Sequence, residues 1–88
     1  MTAAPRVYFI RFDVAGPIKI GMARDTYLRF HNLQTGSPVE LTYLGDIPGD
    51  LSVERGLHAR FEHLRVRGEW FRPAPELLEY IAAALAAA

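Results

Sequence analysis

The chain has 88 residues, half of them hydrophobic, and its ten acidic and ten basic side chains cancel. A chain of this length has room for one core, so we expect a single domain over residues 1–88. Cysteine is absent, which excludes disulfides, thiolate zinc sites and cysteine nucleophiles. No segment resembles a signal peptide or a bilayer span, so we expect an intracellular, cytoplasmic protein without a membrane partner. The neutral charge disfavours a strongly basic nucleic-acid binder but leaves a local basic patch open.

The hydrophobic pattern predicts an α+β fold with elements in the order ββαβαα. The predicted elements are strands at 6–12 and 18–22, a helix from Asp25 or Thr26 to about Gln34, a strand at 40–47, and helices at 50–64 and about 75–87. The turn sequence DVAGP joins the first two strands into a hairpin. The segment RGEWFRP, before the last helix, is expected to be extended or turning.

The second predicted helix carries a carboxylate among apolar side chains. At about 3.6 residues per turn, one face of this helix is apolar. That face is made of Leu51, Leu57, Phe61 and Leu64. Glu54 falls near its middle, with His58 beside it. Because burial of an unpaired charge costs several kcal/mol, Glu54 must be paired, protonated or bound to a cation. A structural salt bridge to an arginine and a functional carboxylate both remain open, and His58 alone would suggest a core histidine.

The hairpin and the first helix contain three further candidate residues for a functional site. If the hairpin loop has an even number of residues, Tyr8 and Lys19, the only lysine, project from the same face. The Lys19 ammonium would then lower the pKa of Tyr8, or contact a phosphate directly. The alternatives are a core tyrosine and an edge-strand lysine that discourages aggregation. Arg29, at the margin of an apolar stripe, either snorkels to solvent or clamps a phosphate.

Five short motifs follow one another along roughly residues 6–72. They are VYF at 7–9, KIG at 19–21, LQTGSP at 33–38, ExxLHxxF at 54–61 and GEWF at 68–71. Their order and spacing resemble the GIY-YIG endonuclease superfamily, and more narrowly its phage and bacterial branch in which the second motif reads KIG. The resemblance implies a three-stranded antiparallel sheet flanked by helices, with the active site on one sheet face. The better-known members carry tyrosine in place of Lys19 and often an asparagine after the metal-binding glutamate, which this chain lacks.

The resemblance implies a small metal-dependent DNA endonuclease that hydrolyses phosphodiester bonds. In the family, the first-motif tyrosine acts as or assists the general base, which corresponds to Tyr8. The helix arginine steadies the phosphate, which corresponds to Arg29, and the helix glutamate that binds one divalent metal corresponds to Glu54. Lys19 and His58 complete the expected catalytic set. The expected metal is Mg²⁺, with Mn²⁺ as the alternative.

Other residues have assisting, structural or binding roles in this prediction. Glu69 is expected to assist Glu54, while Gly21 and Trp70 are interpreted as structural, although Trp70 can also stack on a base. Four arginines would suit phosphate contacts: Arg60, Arg65, Arg67 and Arg72. Two other functions remain open, a non-catalytic nucleic-acid-binding module with the same fold and a protein-interaction domain. Sequence specificity in so short a nuclease would need a homodimer or a targeting partner.

Overall fold

A five-stranded antiparallel sheet organises residues 3–88, the part of the chain that the computed structural model describes. The strands are β1 (Arg6–Phe12), β2 (Ile18–Ala23), β3 (Leu41–Pro48), β4 (Arg65–Arg67) and β5 (Trp70–Phe71). The helices are α1 (Thr26–Thr35), α2 (Leu51–Arg60) and α3 (Pro75–Ala87). The spatial order of the strands is β3-β1-β2-β5-β4. Residues 1 and 2, the start of the predicted domain, lie outside the described residues.

The prediction of a three-stranded sheet with the order ββαβαα is wrong, although the α+β class is correct. The segment RGEWFRP and the residues before it form the hairpin β4–β5, which turns at Gly68 with a φ of 54°. β5 pairs with the outer edge of β2 through Ile18 and Lys19. Strands of three and two residues are too short for side-chain alternation to reveal them, so the sequence pattern missed both.

The predicted boundaries of the helices are close to those observed, except at the end of the second helix. Asp25 caps α1 by accepting a hydrogen bond from the Leu28 amide at 2.9 Å. α2 ends at Arg60, short of the predicted residue 64, and a 3₁₀ turn at Glu62–Leu64 leads into β4. None of the helices in residues 3–88 is long and apolar enough to cross a membrane.

The two faces of the sheet are covered by different helices. The register pairs Tyr8 with Gly21 and Ile10 with Lys19, so Tyr8 and Lys19 share one face, as predicted. α1 packs on that face through Phe30 and Leu33. The opposite face holds the larger core, in which α2 and α3 cover the central strands. Its buried side chains include Val7, Phe9, Ile18, Ile20, Leu57, Phe61, Leu77 and Ile81.

Candidate active site

Three side chains able to bind a metal come together at the outer edge of β2. Glu54, His58 and Glu69 each offer one ligand atom, and these atoms lie within 4.8 Å of one another. Glu54 and His58 are one helical turn apart, so α2 presents both on the same side. Glu69 comes from the β4–β5 turn, where its carbonyl oxygen accepts a hydrogen bond from the Ile20 amide at 3.0 Å. β5 pairs with β2 only as far as Lys19, so these side chains lie along the edge of β2 beyond that residue.

Glu54 is a buried carboxylate without a partner. The residue is 8% exposed. No hydrogen bond or ion pair to its carboxylate occurs within residues 3–88, so the structural salt bridge to an arginine is not found there. Burial, followed by the negative charge of Glu69, raises the pKa of Glu54, and the nearby His58 and Lys19 offset only part of this effect. A cation bound at this point would relieve both the desolvation and the repulsion between the carboxylates.

His58 is held in a defined orientation by the main chain. Its Nε2 atom lies 2.8 Å from the carbonyl oxygen of Ile20. Because a carbonyl oxygen can only accept, Nε2 carries the hydrogen, and in the neutral ring the lone pair lies on Nδ1. The ring also packs on Phe71, with 5.2 Å between ring centroids. His58 therefore presents a fixed proton acceptor or metal ligand beside Glu54.

Lys19 lies inside the sheet and forms an ion pair with Glu69. Its Nζ atom is 3.0 Å from Oε1 of Glu69, and its side chain is only 15% exposed. β2 is paired on both sides at this point, with Ile10 on β1 and Trp70 on β5. The interpretation of Lys19 as an edge-strand lysine is therefore wrong. Its ammonium also lies 5.6 Å from the ring centroid of Trp70, a cation–π distance.

Tyr8 reaches the same region across Gly21. Tyr8 is fully buried, and its hydroxyl has no hydrogen-bond partner among the residues that the structure describes. A Cβ at position 21 would overlap the phenol ring, so glycine is required for this approach. Burial raises the pKa of Tyr8, and the charges of Glu69 and Glu54 add to this effect. The predicted lowering of this pKa by Lys19 is therefore wrong, and Tyr8 holds its proton at neutral pH.

Arg29 is the cation that acts on Tyr8. It lies on the exposed side of α1, with its guanidinium close enough to the Tyr8 hydroxyl to favour the phenolate, but without completing a hydrogen bond. Its effect on the pKa of Tyr8 is smaller than that of burial. The fork of the guanidinium thus remains open to solvent, in a position suited to a phosphate. Of the predicted catalytic and metal-binding residues, Glu54, His58 and Glu69 cluster, Lys19 joins them through Glu69, and Arg29 lies beside Tyr8.

Three of the four arginines predicted to bind nucleic acid make contacts within the protein. Arg60 stacks on the ring of Tyr80, with the guanidinium carbon 4.8 Å from the centroid. Arg65 binds Glu62 at 2.7 Å, and Arg72 donates to the carbonyl oxygen of His63 at 3.1 Å. These three side chains therefore make local contacts, whereas Arg67 is exposed beside Trp70. Phosphate binding by these residues stays a prediction.

The sequence pattern did not reveal a polar network beside Tyr8 on the same sheet face. Asp46 accepts hydrogen bonds from Arg6 and Tyr43, and from Thr26 at 3.3 Å. Burial would raise the pKa of Asp46, but these hydrogen bonds outweigh it and lower that pKa, while burial and Asp46 together raise the pKa of Tyr43 to about 12. Simple alternation puts Tyr43 and Asp46 on opposite faces, and a β-bulge opposite Phe9 brings them together.

Comparison with known proteins gives a match at the level of a domain family. Neither the curated proteins nor the solved structures contain a match to the chain. A family profile described as the T5orf172 domain matches residues 6–86, which include every strand and nearly all of α3. Domains of this family are associated with nuclease-like proteins. The matched region contains all the residues of the candidate site, and the chain belongs to the T5orf172 domain family.

Proposed function

We propose that this protein is a small metal-dependent DNA endonuclease of the GIY-YIG type. The observation that carries the proposal is the buried carboxylate of Glu54, which has no partner among residues 3–88 and whose ligand atom lies within 4.8 Å of those of His58 and Glu69. Perturbed ionisable groups that cluster in this way are typical of functional sites. Lys19 adjoins the cluster through its ion pair with Glu69, and Arg29 lies beside Tyr8; both cations suit a phosphate. The family's association with nuclease-like proteins supports the same reaction class.

The donor set fits a hard divalent cation. Glu54 and Glu69 supply carboxylate oxygens, the ligands that Mg²⁺ and Mn²⁺ prefer, and His58 lies beside them with its Nδ1 lone pair left for a proton. The Tyr8 hydroxyl is buried and has no hydrogen-bond partner among residues 3–88, so a water or phosphate oxygen held at the site would satisfy it. A divalent cation bound here would supply Lewis-acid stabilisation of the phosphate and a more acidic water.

Each residue of the site would then have its own role in phosphodiester hydrolysis. Arg29 and Lys19 bind the non-bridging oxygens of the phosphate and offset the charge that develops on them. His58, with its lone pair on Nδ1, accepts the proton of the attacking water. Tyr8 keeps its proton and orients that water or a phosphate oxygen as a hydrogen-bond donor. Glu69 would help to hold the cation, and its ion pair with Lys19 would then open and leave Lys19 for the phosphate.

A non-catalytic nucleic-acid-binding module is the second candidate. It is favoured by the ion pair between Lys19 and Glu69, which stabilises the cluster without a metal. In that case Arg29 and Arg67 would bind the phosphate backbone, and salt would weaken the binding without any cleavage of DNA.

Nicking of supercoiled plasmid separates these functions. We expect the protein to relax the plasmid in Mg²⁺ or Mn²⁺ and to be inactive in excess chelator. Glu54→Gln should abolish the reaction, whereas Glu79→Gln, the same chemical change at an exposed position on α3, should leave it unchanged. Salt-sensitive DNA binding with no nicking in either metal would select the binding module. Nicking by Glu54→Gln at the parent rate would remove Glu54 from the reaction.

A further inference from the structure

We propose that an apolar pocket beside the candidate site binds one unstacked nucleobase, so that the preferred substrate is DNA with an unpaired nucleotide near the cleaved phosphate. This proposal rests on the proposed nuclease function, which it extends to a substrate class. The pocket has a volume of about 540 Å³. It is lined by Phe12, Pro17, Val66, Arg67 and Trp70.

The walls of the pocket are suited to a flat aromatic ligand. Phe12 and Trp70 stand edge to face, with 6.1 Å between ring centroids and an interplanar angle of 89°. Phe12 is 36% exposed and Val66 55% exposed, so the apolar surface is open to solvent. Aromatic side chains in such positions stack on bases of any sequence. Arg67 supplies a positive charge at the same pocket, which suits a nucleotide better than an apolar peptide.

The position of the pocket ties it to the phosphate site. Trp70 pairs with Lys19 across the β2–β5 ladder, and the Lys19 ammonium lies 5.6 Å from the Trp70 ring centroid. Lys19 in turn contacts Glu69 at 3.0 Å, within the metal-binding cluster. A nucleotide whose phosphate lies at Lys19 would therefore have its base, or the adjacent base, at Trp70.

The side chains that line the pocket favour recognition of DNA structure rather than of base sequence. Among the lining side chains, only the Arg67 guanidinium and the Trp70 indole N–H are polar. Both are donors, so the lining side chains offer no acceptor for the amino groups of adenine, cytosine or guanine. A base inside a duplex would have to be unstacked to enter, at a cost of a few kcal/mol that an unpaired nucleotide largely avoids. We therefore expect bulged or single-stranded positions to be preferred over a matched duplex.

Trp70 is the only tryptophan, so its fluorescence reports on the pocket directly. The probes are three duplexes of equal length in excess chelator: one fully paired, one with a single unpaired thymine, and one with an abasic sugar at that position. We expect only the thymine bulge to quench the emission, and to bind about five to a hundred times more tightly than the other two, as one base–aromatic stack allows. Equal affinities for all three duplexes would overturn the proposal.

Variants of the pocket provide the second arm of the test, read by the anisotropy of labelled duplexes. Phe12→Ala should remove most of the preference for the thymine bulge. Val66→Asp, at an exposed position, should do the same by adding a negative charge to one wall. Val14→Ala, in the β1–β2 turn and 83% exposed, is the matched control and should keep the preference. An unchanged preference in folded Phe12→Ala and Val66→Asp would also overturn the proposal.

The two proposals can fail separately. Plasmid nicking without any preference for the unpaired nucleotide would refute the pocket and keep the nuclease. Quenching by the thymine bulge, with no cleavage of any substrate in Mg²⁺ or Mn²⁺, would support the pocket and refute the nuclease.

Discussion

Replacing Glu54 with glutamine should stabilise the metal-free protein. The carboxylate is 8% exposed, has no partner within residues 3–88, and faces the charge of Glu69, so its ionised form destabilises the fold. A buried polar group without a partner costs about 1–3 kcal/mol. Glutamine keeps the shape but retains a polar amide, so we expect a gain near the lower end, about 1 kcal/mol. For a domain of this size, that gain corresponds to a rise in Tm of about 4–8 °C.

The stabilisation that Glu54→Gln gives over the parent protein should decrease as the pH is lowered. The pKa of Glu54 is raised above its ordinary value of 4.5 in the folded protein. Its ionisation therefore lowers stability as pH rises from 4.5 through the folded pKa, and below 4.5 the group is protonated in both folded and unfolded states. The difference in Tm between Glu54→Gln and the parent should be largest at neutral pH and vanish below about pH 4.5.

The assay is thermal unfolding by circular dichroism with and without divalent cation. At about one hundred times its Kd, Mn²⁺ would stabilise the parent by about 2.7 kcal/mol and leave Glu54→Gln nearly unchanged, which reverses the order of the two Tm values. Glu79→Gln is the control and should follow the parent in both conditions. A metal-free Glu54→Gln that melts below the parent at neutral pH, or that gains as much from Mn²⁺, would refute the reasoning.

Three further predictions concern the neighbouring residues. Arg29→Ala should lower the rate of plasmid nicking far more than the Tm, because Arg29 lies on the exposed side of α1; a large drop in Tm with normal turnover per folded molecule would show a structural role instead. Lys19→Met should reduce nicking at every pH without moving the alkaline side of the pH–rate profile, because Arg29 rather than Lys19 acts on the pKa of Tyr8; a shift on that side would contradict this. Asp46→Asn should cost about 1–3 kcal/mol in urea unfolding at neutral pH, since Asp46 accepts charge-assisted and neutral hydrogen bonds. Because the folded pKa of Asp46 is lowered, that loss should disappear as pH falls from 3.8 through the folded value, and a constant loss down to pH 2 would oppose the assignment.

The sequence predicted the long elements and most of the candidate site for clear physical reasons. Alternation in the first hairpin set the register, which placed Tyr8 and Lys19 on one face. Helical periodicity put Glu54 inward, since the interval of 3.6 residues leaves little freedom once Leu57 and Phe61 define the buried side.

The errors concern residues whose environment is set by contacts distant in sequence. Lys19 could be taken for an edge residue because the pairing of β5 with β2 joins segments far apart in the chain. The pKa of Tyr8 depends on burial beneath α1 and on carboxylates from α2 and the β4–β5 turn, none of which local pattern reveals. The face occupied by Asp46 depends on a bulge, which shifts alternation by one residue.

The pairing of β5 with β2 also lowers the entropic cost of bringing the site residues together around a cation. Glu54 and Glu69 are separated by a stretch that, in a flexible chain, would give each carboxylate a low effective concentration near the other. The fold removes that freedom through the buried rings of Phe61, within the stretch, and Phe71, just after it. The hydrophobic free energy of the core therefore holds two like charges close together in spite of their repulsion. A cation that binds between them would find both carboxylates already ordered, and conservative changes at Phe71 should weaken its affinity although both carboxylates remain.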